Sequence, residues 1–178
     1  PHSVWNSCPS KSDRVIEPWS RVGFRHKTIK NARVQMVDVK TQYETYPYPH
    51  RDPKDEKKRL ITGSPSVPFE IDHYLFEGKR DWSVPLRVLV AGGGTGDGLI
   101  QLATMLTAAN RPFEITYLDL SEAARAIAEE RASIRKLSNI SFHTGSLLDA
   151  SDFGEFDYID CCGVLHHLPE PDKGFRAL

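Results

Sequence analysis

Apolar residues in the second half of the chain follow two alternating patterns. Apolar runs of strand length occupy residues 86–91, 114–119, 140–143 and 156–162. Between them, apolar residues recur three to four positions apart, which is the spacing of one helix face. Strands that alternate with helices are typical of a parallel sheet covered by helices. The pattern therefore predicts an α/β fold with four strands.

Two amphipathic helices are predicted between the first three strands. The first is expected to end near residues 110–112. Its apolar positions are Leu99, Leu102, Ala103 and Leu106. The second follows Ser121, a good N-cap, and places Glu122 near its positive end. Its apolar positions are Ala123, Ile127, Ile134 and Leu137. A further helix is expected to begin after Pro169.

The first 80 residues are organised differently and show no sustained period before a helix predicted at 67–77. Pro68 suits the first turn of that helix and Gly78 its end. Its broad apolar face consists of Phe69, Ile71, Tyr74, Leu75 and Phe76. We therefore predict an N-terminal arm with lid helices at residues 1–80 and a Rossmann-like domain at 81–178.

Composition narrows the classes of function. The 178 residues have a single-domain length and a net charge of −1, so they give no electrostatic case for nucleic acid. Cys8, Cys161 and Cys162 form no disulfide framework, which favours a reducing compartment and a cytoplasmic protein. No apolar run reaches the length of a membrane span, so no membrane partner is expected.

The glycine-rich turn after the first strand carries the main chemical signal. Gly92, Gly94 and Gly96 alternate there, and the second strand ends in Asp119. Each missing Cβ lets the backbone bend sharply and approach a ligand closely. Asp119 is placed to accept hydrogen bonds from the two hydroxyls of a ribose. A dinucleotide-binding turn requires G-x-G-x-x-G, which is absent, so an NAD-linked oxidoreductase is disfavoured.

This turn resembles motif I of the class I S-adenosylmethionine (SAM) dependent methyltransferases. Two further segments, at residues 142–149 and 156–169, are similar to the motifs that follow strands 3 and 4 in members acting on small molecules. The resemblance implies a three-layer Rossmann-like sandwich, SAM as the cofactor, and methyl transfer to an acceptor. The cofactor-binding residues that it implies are Gly92, Gly93, Gly94, Thr95, Gly96, Asp119, Leu120, Gly145, Ser146, Leu147, Cys162 and Gly163.

The aromatic and proline-rich segment at residues 43–49 resembles the N-terminal lid of some bacterial members. Pro47 and Pro49 exclude a helix at this point and stiffen the backbone. The resemblance implies that Tyr43 and Tyr48 close over the cofactor. Anchoring of the arm to the core by the same rings is an equally good interpretation.

Two positions depart from the family pattern. Val90 stands where an acidic residue often lies two positions before the first motif glycine, and that carboxylate usually acts through water or loop hydrogen bonds. Ser146 stands where an acid often contacts the adenine amino group, although its hydroxyl still donates or accepts one hydrogen bond there.

The family fold has seven strands in the order 3-2-1-4-5-7-6, so this chain is expected to be incomplete at its C-terminus. The four predicted strands are neighbours in the order 3-2-1-4. Strand 4 then becomes an apolar edge, a surface prone to pairing with another chain. We therefore expect a fragment, a split gene product, or a chain that completes its sheet with a partner such as a second copy of itself.

His166 and His167 are the candidate catalytic residues. A neutral imidazole beside the methyl group could take a proton from an oxygen or nitrogen nucleophile. The alternative is that one packs while the other orients the loop before Pro169. Together with Cys161 and Cys162 they suggest a metal site, but alternating side-chain directions on a strand scatter these ligands, so no metal is expected.

The sequence therefore predicts a SAM-dependent methyltransferase acting on an unidentified acceptor, with a small molecule favoured over peptide or nucleic acid. The alternative is a SAM-binding module without turnover that needs a partner. Binding of SAM but not of NAD would distinguish the methyltransferase and the SAM-binding module from an oxidoreductase. Turnover would distinguish the methyltransferase from the SAM-binding module.

Overall fold

A computed structural model describes residues 40–178 and shows four parallel strands in one sheet. The strands are β1 (Leu86–Ala91), β2 (Phe113–Asp119), β3 (Ile140–Thr144) and β4 (Tyr158–Asp160), in the order β3-β2-β1-β4. This confirms the predicted strand order. Cys8 and the part of the predicted arm before residue 40 lie outside the described residues.

Within residues 40–178, α-helices precede, connect and follow the strands. They are α1 (Pro68–Phe76), α2 (Asp97–Ala108), α3 (Glu122–Ile134) and α4 (Pro171–Ala177). Residues 40–45 are also helical. Short 3-10 helices occupy Pro53–Lys57, Leu147–Phe153 and Leu165–His167. Ser121 caps α3 as predicted, since its hydroxyl accepts a hydrogen bond from the Ala124 N–H at 3.1 Å.

The sheet separates two apolar clusters, as a three-layer α/β sandwich requires. On one face, Val88 and Val90 of β1 pack with buried residues of α2 and with Ala128 of α3. On the other face, Leu89 and Ala91 pack with residues that include Leu147. The apolar positions predicted for α2 are fully buried. The predicted α/β class and Rossmann-like layering are therefore confirmed.

Strand β4 is shorter than the predicted 156–162. Only Tyr158, Ile159 and Asp160 pair with β1. The preceding Asp157 uses its carboxylate to accept the backbone N–H of Arg87 at 2.9 Å. After Asp160 the chain turns along the end of the sheet, so Cys161 and Cys162 are not strand residues.

The predicted apolar face of α1 is wrong in part. Ile71 is buried and Phe76 is partly buried against the core. Phe69, Tyr74 and Leu75 are exposed instead. A nine-residue helix packed along one side presents only some of its apolar positions to the core, and within residues 40–178 nothing covers the others.

No helix within residues 40–178 is both long enough and apolar enough to cross a membrane.

Candidate functional site

A cavity of about 760 Å³ opens at the carboxyl ends of β1, β2 and β4. Loops that follow parallel strands meet at this edge, where ligands of open α/β sheets usually bind. Ligand pockets commonly measure about 300–1,000 Å³. The wall combines the glycine turn with the segment at residues 43–51 and the loop at residues 61–65. The cavity therefore joins the N-terminal segment to the sheet.

The glycine turn passes so close to its neighbours that side chains are excluded. A Cβ at Gly93 would lie 2.4 Å from the Tyr117 ring. Gly94 has a left-handed backbone with φ of 52°, and a Cβ there would lie 2.4 Å from the Tyr48 carbonyl oxygen. The buried Tyr117 hydroxyl donates to the Gly94 carbonyl at 2.5 Å. These contacts hold the turn against the end of the sheet.

Asp119 joins this turn to the loop after β2. Its carboxylate accepts the Gly94 N–H at 2.7 Å and the Ser121 N–H at 2.9 Å, with one bond to each oxygen. Burial raises the pKa of the Asp119 carboxyl, and the two backbone N–H groups offset part of that rise. Glu44 adds a repulsion that raises the pKa further. Each carboxylate oxygen retains a lone pair for a ligand hydroxyl.

The segment around Tyr48 lies directly on the glycine turn. Thr95 is fully buried, and its hydroxyl donates to the Pro49 carbonyl at 2.6 Å. The Thr95 N–H donates to the Tyr48 carbonyl at 3.3 Å. The Tyr48 side chain itself is 70% exposed. The backbone of this segment therefore forms a wall of the cavity, while most of the Tyr48 ring faces solvent.

A second attachment lies at the start of α3. The Glu44 carboxylate accepts the Glu122 N–H at 2.7 Å and the Ala123 N–H at 3.2 Å. A carboxylate that accepts two N–H groups at a helix N-terminus is well placed against the helix dipole. The neighbouring Tyr43 reaches the cavity, where its hydroxyl lies 3.2 Å from His167 Nε2.

Arg131 of α3 anchors a charged network below the cavity. It is fully buried, and it donates to Glu56 Oε1 at 2.8 Å, to the Thr95 carbonyl at 2.6 Å and to Asp97 Oδ1 at 2.8 Å. Glu56 also pairs with Arg135. The network thus connects α3, the start of α2 and the 3-10 helix Pro53–Lys57.

Arg51 extends this network to the cavity wall. Its guanidinium forms a forked pair with Asp97, with Nε 2.9 Å from Oδ1 and Nη2 2.5 Å from Oδ2. Burial by itself raises the pKa of Asp97, but the hydrogen bonds from Arg51 and Arg131 outweigh burial and hold that pKa below its ordinary value. Sequence reasoning missed both wall residues, because their pairing joins positions 46 apart.

Asp160 is a further wall residue that the sequence analysis missed. It ends β4, is 7% exposed, and accepts the Ser66 hydroxyl at 2.5 Å. Ser66 also lies 3.0 Å from the Tyr158 hydroxyl. Gln101 of α2 holds the same loop by accepting the Gly63 N–H at 2.8 Å. A polar residue inside an apolar strand was the available signal.

The predicted site residues mostly come together at this one cavity. His166 and His167 line it with their rings in contact, tilted by 42° with the centroids 3.9 Å apart. Of the predicted set, Thr95 and Gly96 do not line the cavity, since Thr95 packs below Pro49 and Gly96 is the N-cap of α2. The other predicted residues that line it are Tyr43, Tyr48, Gly92, Gly93, Gly94, Asp119, Leu120, Gly145, Ser146, Leu147, Cys162 and Gly163.

No group of three or more His, Cys, Asp or Glu side chains within residues 40–178 could hold a metal ion. The roles of these residues toward a ligand remain predictions, because placement alone does not establish binding.

Curated relatives match part of the chain. An uncharacterised protein of Synechococcus is 44% identical over 94 residues, which cover 52% of this chain and 22% of that protein. The magnesium-protoporphyrin O-methyltransferase of Rhodobacter capsulatus is 32% identical over 88 residues, covering 49% of this chain and 36% of that enzyme. The chain thus spans only about a fifth to a third of the length of these two relatives.

A solved structure supports the fold. Magnesium protoporphyrin IX methyltransferase from Synechocystis PCC 6803, solved with bound SAM, superimposes with a TM-score of 0.52 over 80% of this chain and 69% of its own. At 20% identity this similarity concerns the fold alone. The family model described as a methyltransferase domain matches residues 89–178, which include the glycine turn, Asp119 and the segment around His166. The chain therefore belongs to the methyltransferase domain family, which confirms the predicted family and its cofactor class, SAM.

Proposed function

We propose that this chain binds SAM in the cavity and transfers its methyl group to a small-molecule acceptor. The observation that carries the proposal is the convergence of the glycine turn and the Asp119 carboxylate on one cavity wall at the end of the sheet. The family assignment supports the reaction type, and the identity of the acceptor is open.

The wall residues fit a nucleoside with an aliphatic charged tail. The turn approaches its surroundings closely, since a Cβ at Gly92 would lie 2.5 Å from Val164. Asp119 has lone pairs left for ribose hydroxyls, and burial strengthens such bonds because water competes less. Leu147 offers an apolar surface and Ser146 a hydroxyl beside it. When bound, SAM supplies a methyl group activated by its sulfonium charge.

Removal of the acceptor's proton is assigned to side chains of the cavity. An acceptor hydroxyl or amine must lose a proton as it takes the methyl group, and a neutral imidazole can receive that proton. His167 lines the cavity with Nε2 3.2 Å from the Tyr43 hydroxyl, which fixes the direction of the ring. The His166 ring lies against it at a tilted angle. We assign the base to His167, oriented by Tyr43, with alignment of the reactants as the larger contribution.

A small-molecule acceptor agrees with the shape of the site. The wall beyond the predicted cofactor residues includes Arg51 and the loop at residues 61–65. A single cavity of about 760 Å³ suits a cofactor together with a compact second ligand.

Replacement of Asp119 tests the cofactor site. Asp119→Ala is expected to weaken SAM binding by about 10- to 100-fold, because one or two hydrogen bonds to a charged acceptor are lost. Calorimetric titration with SAM and S-adenosylhomocysteine measures the effect, with NAD as the ligand that should not bind. Asp149→Ala is the matched control, because Asp149 is an exposed carboxylate near the same wall that does not line the cavity.

The isosteric Asp119→Asn keeps one acceptor oxygen, so an intermediate affinity is expected. Full SAM affinity in a folded Asp119→Ala chain would exclude the proposed site. Saturable SAM binding without formation of S-adenosylhomocysteine from any acceptor would instead favour the binding module.

The affinity for SAM should depend on pH. The ionised Asp119 accepts the hydroxyls, and its pKa is raised, so affinity is full above that pKa and falls as the pH falls through it. The loss should begin above 3.8, the ordinary value of the group. Calorimetric titration with SAM over this pH range, in wild type and Asp119→Asn, measures the change in affinity.

Circular dichroism at each pH provides the control. A raised pKa in the folded state means that protonation of Asp119 does not favour unfolding, so binding should weaken while the chain is still folded. An acid limb of equal steepness in Asp119→Asn would show that another group is responsible.

A further inference from the structure

Asp160 is a buried carboxylate that faces the cavity and has no cationic partner among residues 40–178. It is 7% exposed and ends β4 at the cavity wall. The first turn of α2 lies against it, since a Cβ at Gly98 would be 2.5 Å from Asp160 Oδ2. The Asp160 carboxylate is therefore almost fully buried and can still contact a ligand in the cavity.

The groups that bind Asp160 are uncharged. The Ser66 hydroxyl donates to Oδ2 at 2.5 Å, and the Cys162 backbone N–H contributes a further hydrogen bond. The ion pairs among residues 40–178 do not include Asp160. Neutral donors and the start of a helix stabilise a carboxylate without cancelling its charge.

Two other acids near the cavity differ in this respect, whereas Asp119 is likewise held by uncharged N–H donors. Asp97 is paired with Arg51 and Arg131, and Glu56 with Arg131 and Arg135. A buried charge without an opposite charge is costly unless a partner arrives. Asp160 is therefore suited to a cationic group supplied by a ligand.

The strand register explains how this carboxylate comes to lie there. Asp160 of β4 is paired with Val90 of β1 in parallel register. Residues paired across two parallel strands project to the same face of the sheet. Val90 occupies the position where the resembled family often carries an acid. The negative charge is thus present in this chain, one strand away from its usual place.

Resting on the proposed function, we propose that Asp160 binds the α-ammonium group in the methionine part of SAM. The uncharged hydrogen bonds to Ser66 and Cys162 orient the carboxylate, and the loop at residues 63–66, held by Gln101, closes the wall behind it. Asp119 and Asp160 then recognise two different parts of one cofactor, the ribose and the amino acid.

Three ligands distinguish this role from a structural one. SAM carries the ammonium and the sulfonium, S-adenosylhomocysteine carries only the ammonium, and 5′-methylthioadenosine carries neither. In the full chain, Asp160→Asn should weaken binding of the first two by about 10- to 100-fold and leave that of the third within about threefold. Calorimetric titration of all three against wild type and variant measures the pattern.

Ser66→Ala is the matched control, because it removes the hydroxyl bound to Asp160 and leaves the charge. Because the carboxylate keeps its charge, the ratio between the affinities for S-adenosylhomocysteine and 5′-methylthioadenosine should fall much less than in Asp160→Asn. The ratio is measured within one variant, which makes it independent of the fraction of folded chain.

An Asp160→Asn chain with the wild-type ratio would overturn the inference while the cofactor site at Asp119 stands. Loss confined to SAM would also overturn it, since the carboxylate would then act on the sulfonium. Failure of the wild-type chain to bind any of the three would overturn the proposed function and this inference with it.

Discussion

Arg131→Ala is expected to destabilise the chain by about 3–5 kcal/mol. The substitution leaves the buried carboxylate of Glu56 with one cationic partner instead of two, and it removes a donor from the Thr95 carbonyl and from Asp97. A buried charge that loses its partner keeps the cost of dehydration without the compensating attraction. Urea unfolding followed by circular dichroism measures the difference in free energy.

Arg125→Ala on the same helix is the control. Arg125 forms an i, i+4 pair with Glu129, and both side chains are about a third exposed or more. Such pairs contribute about 0.3–0.5 kcal/mol. The comparison separates loss of a buried network from loss of an arginine on α3. Equal destabilisation by the two substitutions would show that the network is not the cause.

The double variant Arg131→Met with Glu56→Gln tests the physical reason. Removal of both fully buried charges leaves only the more exposed Arg135 without its carboxylate, so the double variant should be more stable than Arg131→Ala alone. If it is equally unstable, the uncompensated charge of Glu56 is not the cause of the loss.

The same network links stability to the cavity. Arg131 and Arg51 hold Asp97 between them, and Arg51 and Asp97 both line the cavity. The turn at residues 48–49 lies between Arg51 and the glycine turn. The charged network therefore fixes the cavity wall formed by Arg51 and Asp97. Helix propensity and apolar burial do not determine the position of that wall.

The sheet could be predicted from the sequence because its signals are local. Each strand of the β3-β2-β1-β4 order is an apolar run, and each helix shows its own period or cap. Asp119 could be predicted for the same reason, since it closes a strand at a fixed distance from the glycine turn. The strand order itself is predicted by the resemblance and not by local signals, and the structure confirms that order.

The rest of the site depends on contacts between distant parts of the chain. Asp160 is visible in the sequence as a polar residue within an apolar run, but its position on the cavity wall beside Val90 follows only from the pairing of β4 with β1. Arg51 precedes a run of mixed charges at residues 52–59, and only its pairing with Asp97 places it on the cavity wall. The exposure of Phe69 and Tyr74 on α1 follows from how that helix lies against its neighbours, which periodicity does not specify.

Gly94→Ala should destabilise the chain by about 2–4 kcal/mol and weaken SAM binding. Gly94 has φ of 52°, which costs an alanine about 1 kcal/mol. The added methyl group would also lie 2.4 Å from the Tyr48 carbonyl oxygen, a backbone atom that cannot rotate away. The turn at residues 48–49 must then lift from the glycine turn, with loss of the Thr95 bond to the Pro49 carbonyl. Urea unfolding and calorimetry measure the two effects.

Gly78→Ala isolates the contribution of the backbone strain. Gly78 has φ of 71°, and nothing lies within 4 Å of its added Cβ, so only the strain of about 1 kcal/mol is expected, with SAM affinity unchanged. The additional loss of stability in Gly94→Ala measures how firmly the segment around Tyr48 is held on the glycine turn. Faster hydrogen exchange in the peptide that contains residues 46–52 should accompany that additional loss, because the segment has been displaced. Equal destabilisation in the two variants, with no change in exchange, would mean that the segment at Tyr48 does not form a fixed wall of the site.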